Sequence, residues 1–309
     1  MKNLQTSFIM NNETRQASPF DLSNDASYLA WRDSKLVSYP LVIKDLIVPI
    51  KNPKKLSFSE KTQILRLLYK TNMAFYQIES DTEVDKDSLG LLGKQFGLAH
   101  IDRTLTAEGE DGITPLQVEA NGERHDYIPY TDKPINWHTD GYYNEADKPV
   151  QAMLLHCTRP AMKGGDNQIV DNDLVYIHLR DKNPAYIKAL MQDDVMMIPA
   201  NEQNGHILRA ESVGSVFSIN TQGGLYTRYT ARKRNIVWKD DPIVKEAVAE
   251  LNVFLNSDSP YIFCHRLARN QGLICNNVLH NRTGFKNGDN VAQQRLIYRI
   301  RYYDAVHEV

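Results

Sequence analysis

Cysteine is scarce: Cys157, Cys264 and Cys275 are the only three in 309 residues, and none stands in a C-x-x-C pair. That excludes a zinc knuckle and a disulfide framework as the source of the fold, and a reducing, cytoplasmic setting is the expectation. Long hydrophobic runs are missing too. No stretch approaches the ~18 apolar residues of a membrane span, and Met1-Lys2-Asn3-Leu4-Gln5 opens no apolar leader. Charge of neither sign is in excess, since 36 Lys and Arg against 38 Asp and Glu leave a formal net charge of -2. There is no global pull toward nucleic acid or anionic lipid. The chain also has no G-x-G-x-x-G, Walker loop, H-E-x-x-H or G-x-S-x-G. Nicotinamide binding, phosphate-loop chemistry, zincin proteolysis and esterase catalysis therefore lack support. The expected partner is a small molecule, with neither nucleic acid nor a membrane involved.

What is present reads as one globular domain, 42% hydrophobic and 24% charged, in the ordinary range for such proteins. Residues 1–72 read as an N-terminal arm with helices, and 73–309 as the core with a helical insertion around 174–260. The arm, with Tyr28-Leu29-Ala30-Trp31 as its apolar part, is also a place for a subunit contact, so a homo-oligomer fits. Ser57-Phe58-Ser59-Glu60 is a capping box ahead of Ile64, Leu65, Leu67 and Leu68 at helical spacing. A strand candidate, 73–78, follows, then a helix marked by Leu89, Leu92 and Phe96 and closed by Gly97. Residues 104–132 are irregular, punctuated by Gly109, Gly112, Gly122 and Pro129 around a strand at 116–119. Further strands are expected at 150–158, 168–170 and 213–219, and a helix at 174–190 broken by Asn183-Pro184. Another helix opens at Asp241-Pro242 with Val244, Val248, Leu251 and Leu255 as its stripe. Short strands at 261–264 and 272–275 follow, the second leading to His280. His156, inside a buried strand, reads as a core histidine.

Two pieces organise the chain: Asn136-Trp137-His138-Thr139-Asp140-Gly141 and, far downstream, Asn277-Val278-Leu279-His280-Asn281-Arg282. In extended backbone alternate side chains share a face, so His138 and Asp140 aim at one point. Two histidines and one carboxylate on a single octahedral face suit an Fe(II) that keeps positions open for a cosubstrate and for O2. His280 is the candidate third ligand. After it, Leu296, Tyr298, Ile300 and Tyr302 form one apolar face of a strand, and Arg295, Arg299 and Arg301 occupy the other. A buried guanidinium without an anion is costly. The anion is either an Asp or Glu of the protein or a bound dicarboxylate, which the planar arginine fork suits.

Four segments together resemble the TauD/TfdA family of Fe(II)- and 2-oxoglutarate-dependent dioxygenases. They are His138-x-Asp140, Gly164-Gly165-Asp166-Asn167, Asn277-x-x-His280-x-Arg282-Thr283-x-Phe285 and Arg295-x-x-x-Arg299. The resemblance runs from about Phe75 to Tyr303. It implies a mainly β fold with flanking helices, a double-stranded β-helix or jelly roll, and three cofactors: Fe(II), 2-oxoglutarate as cosubstrate, and O2. By position it implies His138, Asp140 and His280 as metal ligands, Arg295 at the distal carboxylate of 2-oxoglutarate and Arg299 at its C1 carboxylate. Asn167 replaces the family's usual threonine and offers an amide to the cosubstrate. Asn276 stands where an acidic residue is commoner, and the loop through Lys286, Asn287, Gly288 and Asp289 is longer than in taurine dioxygenase. Related halogenases carry a small residue in place of the carboxylate. Asp140 therefore implies hydroxylation, desaturation or ring chemistry of an unactivated C–H bond, with release of succinate and CO2.

Tyr130, Asn136, Tyr142 and Arg282 are the substrate-contact candidates, since tyrosine offers an apolar wall with a polar tip and a small polar or anionic substrate is the family's range. The basic stretch 227–234 lacks a repeated stacking pattern for nucleic acid, and reads as a face for a small anion or a subunit. Two rival readings use the same residues: a non-catalytic jelly-roll binding protein, and a zinc hydrolase with the same three ligands.

Overall fold

The computed structural model describes residues 18–80, 82–103, 111–119, 125, 127–203, 205–232 and 234–308. The expectations for residues 1–17, Gly109, Gly122 and Lys233 lie outside them. The chain divides into two compact units, Met1–Val37 and Ser38–Val309. In the first, α1 (Asp25–Leu36) is capped by Asn24, whose side chain accepts from the Ser27 N–H.

Among the described residues, ten strands of the second unit make its two main sheets: β1 (Ile47–Ile50), β2 (Met73–Ile78), β3 (Thr114–Leu116), β4 (Ile135–His138), β5 (Ala152–Arg159), β6 (Asn167–Val170), β7 (Phe263–His265), β8 (Gln271–Cys275), β9 (Leu279–Arg282) and β10 (Leu296–Tyr302). They form a six-stranded sheet in the order β1-β2-β8-β5-β10-β3 and a four-stranded sheet in the order β7-β6-β9-β4. The expected jelly roll is the fold. One difference lies at the start, where β1 pairs in parallel with β2, so the large sheet begins well before residue 73. A second concerns His280, which the 271–275 strand leads to only after a crossing to the small sheet, where it rides on β9. The third strand expected near 116–119 sits earlier, at β3.

Strand alternation gives the large sheet two faces. On the outer one Ala74, Tyr76, Ala152, Leu154, Ile274, Ile300 and Tyr302 join a core with Ile64, Leu65, Leu68, Leu89 and Leu92. The latter five come from α2 (Phe58–Thr71) and α3 (Lys86–Lys94). The expected capping box holds the start of α2: the Ser57 N–H donates to Glu60 at 2.6 Å, and the Glu60 N–H donates to Ser57 Oγ at 3.3 Å. Asn72, at φ 55°, ends that helix in the left-handed region and turns the chain into β2. Gly272 is required on this face because an added Cβ would lie 2.2 Å from the Tyr76 ring, closer than packed atoms approach. The inner face carries the row Phe75–Leu273–Leu155–Arg299 in register, turned toward the small sheet. Phe75 meets His265 of β7 edge-on at 5.2 Å.

The helical insertion lies between β6 and β7, with α4 (Asn172–Lys182), α5 (Pro184–Leu190) and α6 (Pro242–Leu255). Asn183 and Pro184 separate α4 from α5 as expected, Asn183 capping the second through the Ala185 N–H. The insertion returns one functional segment to the small sheet. Thr230 bridges His138, and the Ala231 N–H donates to Trp137 O at 2.8 Å.

His156 is fully buried on the outer face. Its Nδ1 meets the Tyr76 hydroxyl at 3.1 Å and its Nε2 has no hydrogen-bond partner. Burial pulls its pKa down to about 4, against ~6.5 in an unfolded chain. Between those values the unfolded chain binds more protons, so the stabilisation is complete above pH 6.5 and is lost as pH falls toward 4, by at most about 3 kcal/mol. Urea midpoints of the metal-free protein at pH 7 and pH 4.5 should show this loss. His156→Leu should flatten the pH slope, and an unchanged slope would remove His156 as its origin.

Candidate metal centre and active site

β4 and β9 pair antiparallel with His138 directly opposite His280, which brings the two rings to 4.3 Å between centroids. Asp140 follows β4 in a turn, its carboxylate 3.6 Å from His138 Nε2. One donor atom from each of the three residues lies within 4.8 Å of the others. The tautomers are set by backbone: His138 Nδ1 is 2.8 Å from Asn136 O and His280 Nδ1 is 2.9 Å from Val278 O. A carbonyl only accepts, so each Nδ1 carries the proton and each Nε2 presents its lone pair. Burial, with His138 alongside, pulls the His280 pKa down to about 4, and the ring is neutral, as a ligand must be. Burial raises the Asp140 carboxyl, but the Arg299 guanidinium, 3.3 Å away, outweighs it and holds it well below the ordinary carboxylate range.

Asn277 braces this geometry from the left-handed region, at φ 45°. Its side chain accepts from the Asp140 N–H at 2.8 Å and donates to Asp140 O at 2.8 Å and Val150 O at 2.6 Å. Asp140 Oδ2 is buried with no hydrogen-bond partner. Two imidazole nitrogens and an ionised carboxylate with an unmet lone pair fit a ferrous ion.

Arg299 and Arg301 share a face of β10 as expected, whereas Arg295 precedes the strand, beyond a register shift between Leu296 and Ile297; all three are buried. Arg295 is 6% exposed, and its Nη1 has no hydrogen-bond partner. Its guanidinium lies over the Phe285 ring at 5.0 Å, and Arg282 lies over the same ring at 4.9 Å. Burial lowers Arg295 to about 10 and, with Arg295 nearby, lowers Arg282 to about 9. The two cations differ in what satisfies them. Arg282 donates to Thr131 O at 2.8 Å, Lys133 O at 2.6 Å and Pro129 O at 3.5 Å, whereas Arg295 pairs with no carboxylate among the described residues. The long 286–289 loop positions it, Asn287 Oδ1 accepting from the Arg295 N–H at 2.8 Å. A buried, unmatched guanidinium is a site for an anion.

Two cavities border the ligands, one at His280 and one at His138 and Asp140. An inner pocket between the sheets is lined by Phe75, Leu155, Asn167, Leu273 and His280. Asn167 lies at its edge and donates to Asn281 O at 2.8 Å. The pocket's free volume is about 10 Å³. An outer cleft of about 90 Å³ is lined by Asn136, His138, Asp140, Tyr142, Tyr143, Arg232 and Arg299 among others.

Of the expected substrate contacts, Asn136 and Tyr142 line the outer cleft. Tyr130 and Arg282 do not. Tyr130 is fully buried, and Arg282 directs its Nη1 and Nη2 to the 129–133 carbonyls. Both are close to the metal strand in sequence or register, but neither lines the cleft. Tyr143 and Arg232 were not among the substrate-contact candidates, although the cluster of tyrosines around the His138 strand was the signal for the first and the basic stretch at 227–234 for the second. Within that stretch Arg228 is buried and donates to Tyr142 O, Met196 O, Gly214 O and Ser212 O.

A jelly roll holding two histidines and a carboxylate beside an anion-seeking arginine defines the class of non-haem iron oxygenases that use a 2-oxo acid. Residues 43–301 match the taurine catabolism dioxygenase TauD, TfdA family. The chain belongs to this family of Fe(II)- and 2-oxoglutarate-dependent dioxygenases, with O2 as the second cosubstrate. It is 26% identical over 209 residues to a uridine-5'-phosphate dioxygenase from Amycolatopsis sp, covering 60% of this chain and 72% of that protein. It is 31% identical over 99 residues to gamma-butyrobetaine dioxygenase from Homo sapiens, covering 32% of this chain and 23% of that one. The structure of asparagine oxygenase with Fe(II), 2S,3S-3-hydroxyasparagine and succinate shares the fold. Its TM-score is 0.57 at 13% identity, covering 94% of this chain and 86% of that one. No helix among the described residues is long and apolar enough to cross a membrane.

Proposed function

We propose that this enzyme hydroxylates an unactivated C–H bond of a small polar or anionic substrate, converting 2-oxoglutarate and O2 to succinate and CO2. The observation that carries the reading is the buried Arg295, whose Nη1 has no hydrogen-bond partner and which meets no carboxylate among the described residues. In this reading His138, Asp140 and His280 hold the iron. Arg295 takes the distal carboxylate of 2-oxoglutarate, with Asn167 at the pocket edge. Arg299, already against Asp140, steadies the metal-binding carboxylate and the C1 carboxylate beside it. Bound iron supplies the activation of O2 that the protein's own groups lack.

The chain's residues do the rest. The Nδ1–H bonds to Asn136 O and Val278 O fix the ring orientations, and Ile128, Pro129, Pro134 and Ile135 give the outer cleft an apolar rim that limits water. Retention of Asp140, where halogenases have room for chloride, favours oxygen transfer. Uridine-5'-phosphate and gamma-butyrobetaine, named in the relatives, are both small and carry an anionic group, which supports a substrate of that kind here.

Anaerobic titration of the protein with Fe(II) and 2-oxoglutarate should give a weak visible metal-to-ligand charge-transfer band. Substrate-dependent succinate formation should then follow on admitting O2. An iron-loaded protein that shows neither would leave the zinc hydrolase or plain binding reading in place.

A further inference from the structure

The outer cleft carries positive charge that neither the metal ligands nor the cosubstrate pocket uses. Its lining has one carboxylate, Asp140, against two guanidiniums, Arg232 and Arg299, and Asp140 with Arg299 already forms the metal side. Arg232 is held close by backbone, because Thr230 bridges His138 and the Ala231 N–H donates to Trp137 O. Its guanidinium lies over the Tyr142 ring at 5.8 Å, and that ring stands edge-on to His138 at 6.4 Å. Among the described residues no carboxylate pairs with Arg232. A guanidinium parked on an aromatic face keeps its in-plane N–H groups available to an incoming anion.

Tyr143, on the same wall, supplies a second donor. Its hydroxyl accepts from Arg301 Nη1 at 2.8 Å. Arg301 cannot turn away, since its Nη2 is 3.0 Å from the Asp102 carboxylate, which is 1% exposed and also accepts from the Tyr303 hydroxyl at 2.9 Å. With its lone pair engaged, the Tyr143 oxygen is left with a proton to donate, and no described residue accepts it. Arg209, over the Tyr143 ring at 5.8 Å, adds positive charge behind it.

We infer that the substrate carries an anionic group, a carboxylate, phosphate or sulfonate, which docks between the Arg232 guanidinium and the Tyr143 hydroxyl while its reacting carbon faces the metal ligands. Arg232 is then the specificity-determining residue of the cleft, and Asp102 and Arg301 are positioning residues for Tyr143. The inference rests on the oxygenase reading and adds the charge of the substrate and the residues that read it.

The test uses the anaerobic holoenzyme with Fe(II) and 2-oxoglutarate, following the charge-transfer band as probes are added. Uridine-5'-phosphate, taurine and inorganic phosphate are compared with uridine and choline. At least one anion should shift the band while uridine and choline do not. The half-saturating concentration of that anion should rise about tenfold or more in Arg232→Gln, as expected for losing a hydrogen bond to a charged group. Arg232→Lys should restore part of the loss, and Tyr143→Phe should raise the value severalfold. A band shifted by uridine or choline as well as by the anions overturns the inference. So does a set of anions none of which shifts it, or an anion whose half-saturation is unmoved in Arg232→Gln. Failure of the wild-type enzyme to form the band at all strikes instead at the oxygenase reading beneath it.

Discussion

His280→Ala is expected to weaken Fe(II) binding by more than ~100-fold and to abolish 2-oxoglutarate turnover. Loss of a partner outside the ligand shell typically costs 10–100-fold, and this substitution removes a ligand. The fold should survive. His280 is neutral at pH 7 and its side-chain hydrogen bond goes to the carbonyl of Val278, just before its strand, so no charge is stranded. His138→Ala should behave likewise. Asp140→Ala should differ, because it takes away the carboxylate opposite the buried Arg299, and breaking a buried ion pair costs up to about 3–5 kcal/mol. Iron titration in parallel with urea unfolding of the metal-free variants separates the two effects. Wild-type iron affinity in His280→Ala would contradict the proposed ligand set.

Arg295→Ala should raise the half-saturating 2-oxoglutarate concentration by about 30-fold or more with iron affinity unchanged. That corresponds to the ~2–5 kcal/mol lost when a buried charge pair is truncated on one side. The metal-free, cosubstrate-free protein provides the internal control. An arginine placed for structure has its partner in the resting protein, and its removal destabilises. Arg295 has no carboxylate partner among the described residues, so its loss should leave that form about as stable as wild type, or more so. Arg282→Ala should do the opposite. It frees the carbonyls of Thr131 and Lys133 and destabilises the protein with less effect on the cosubstrate. If Arg295→Ala unfolded the protein and Arg282→Ala controlled 2-oxoglutarate affinity, the two roles would be exchanged.

The parts of the fold that were legible in the sequence are those with a short-range cause. The capping box at Ser57 and Glu60, the break at Asn183-Pro184, and the alternation from Leu296 to Tyr302 each act within a few residues. The triad was legible because strand period and ligand chemistry restrict the choices together. What sequence missed depends on pairings between distant segments. Arg232 reaches the cleft only because residues 229–231 return from the insertion and pair at the edge of β4, and a single bridge leaves no periodic trace. Tyr130 and Arg282 were drawn in by nearness along the chain, although one packs inward and the other is taken up by carbonyls. His280 was expected to follow the 271–275 strand directly. The structure instead spends residues 276–278 on crossing between sheets, with Asn277 in a backbone region that few residue types tolerate.

The cross-strand placement of His138 and His280 also affects how the barrel holds together. An ion gripped by both would act as a clasp on β4 and β9, which lie far apart in the sequence yet share a ladder. Because the unfolded chain keeps no such arrangement, metal affinity adds directly to folding free energy. Iron supply would thereby set how long the closed barrel persists as well as whether it turns over.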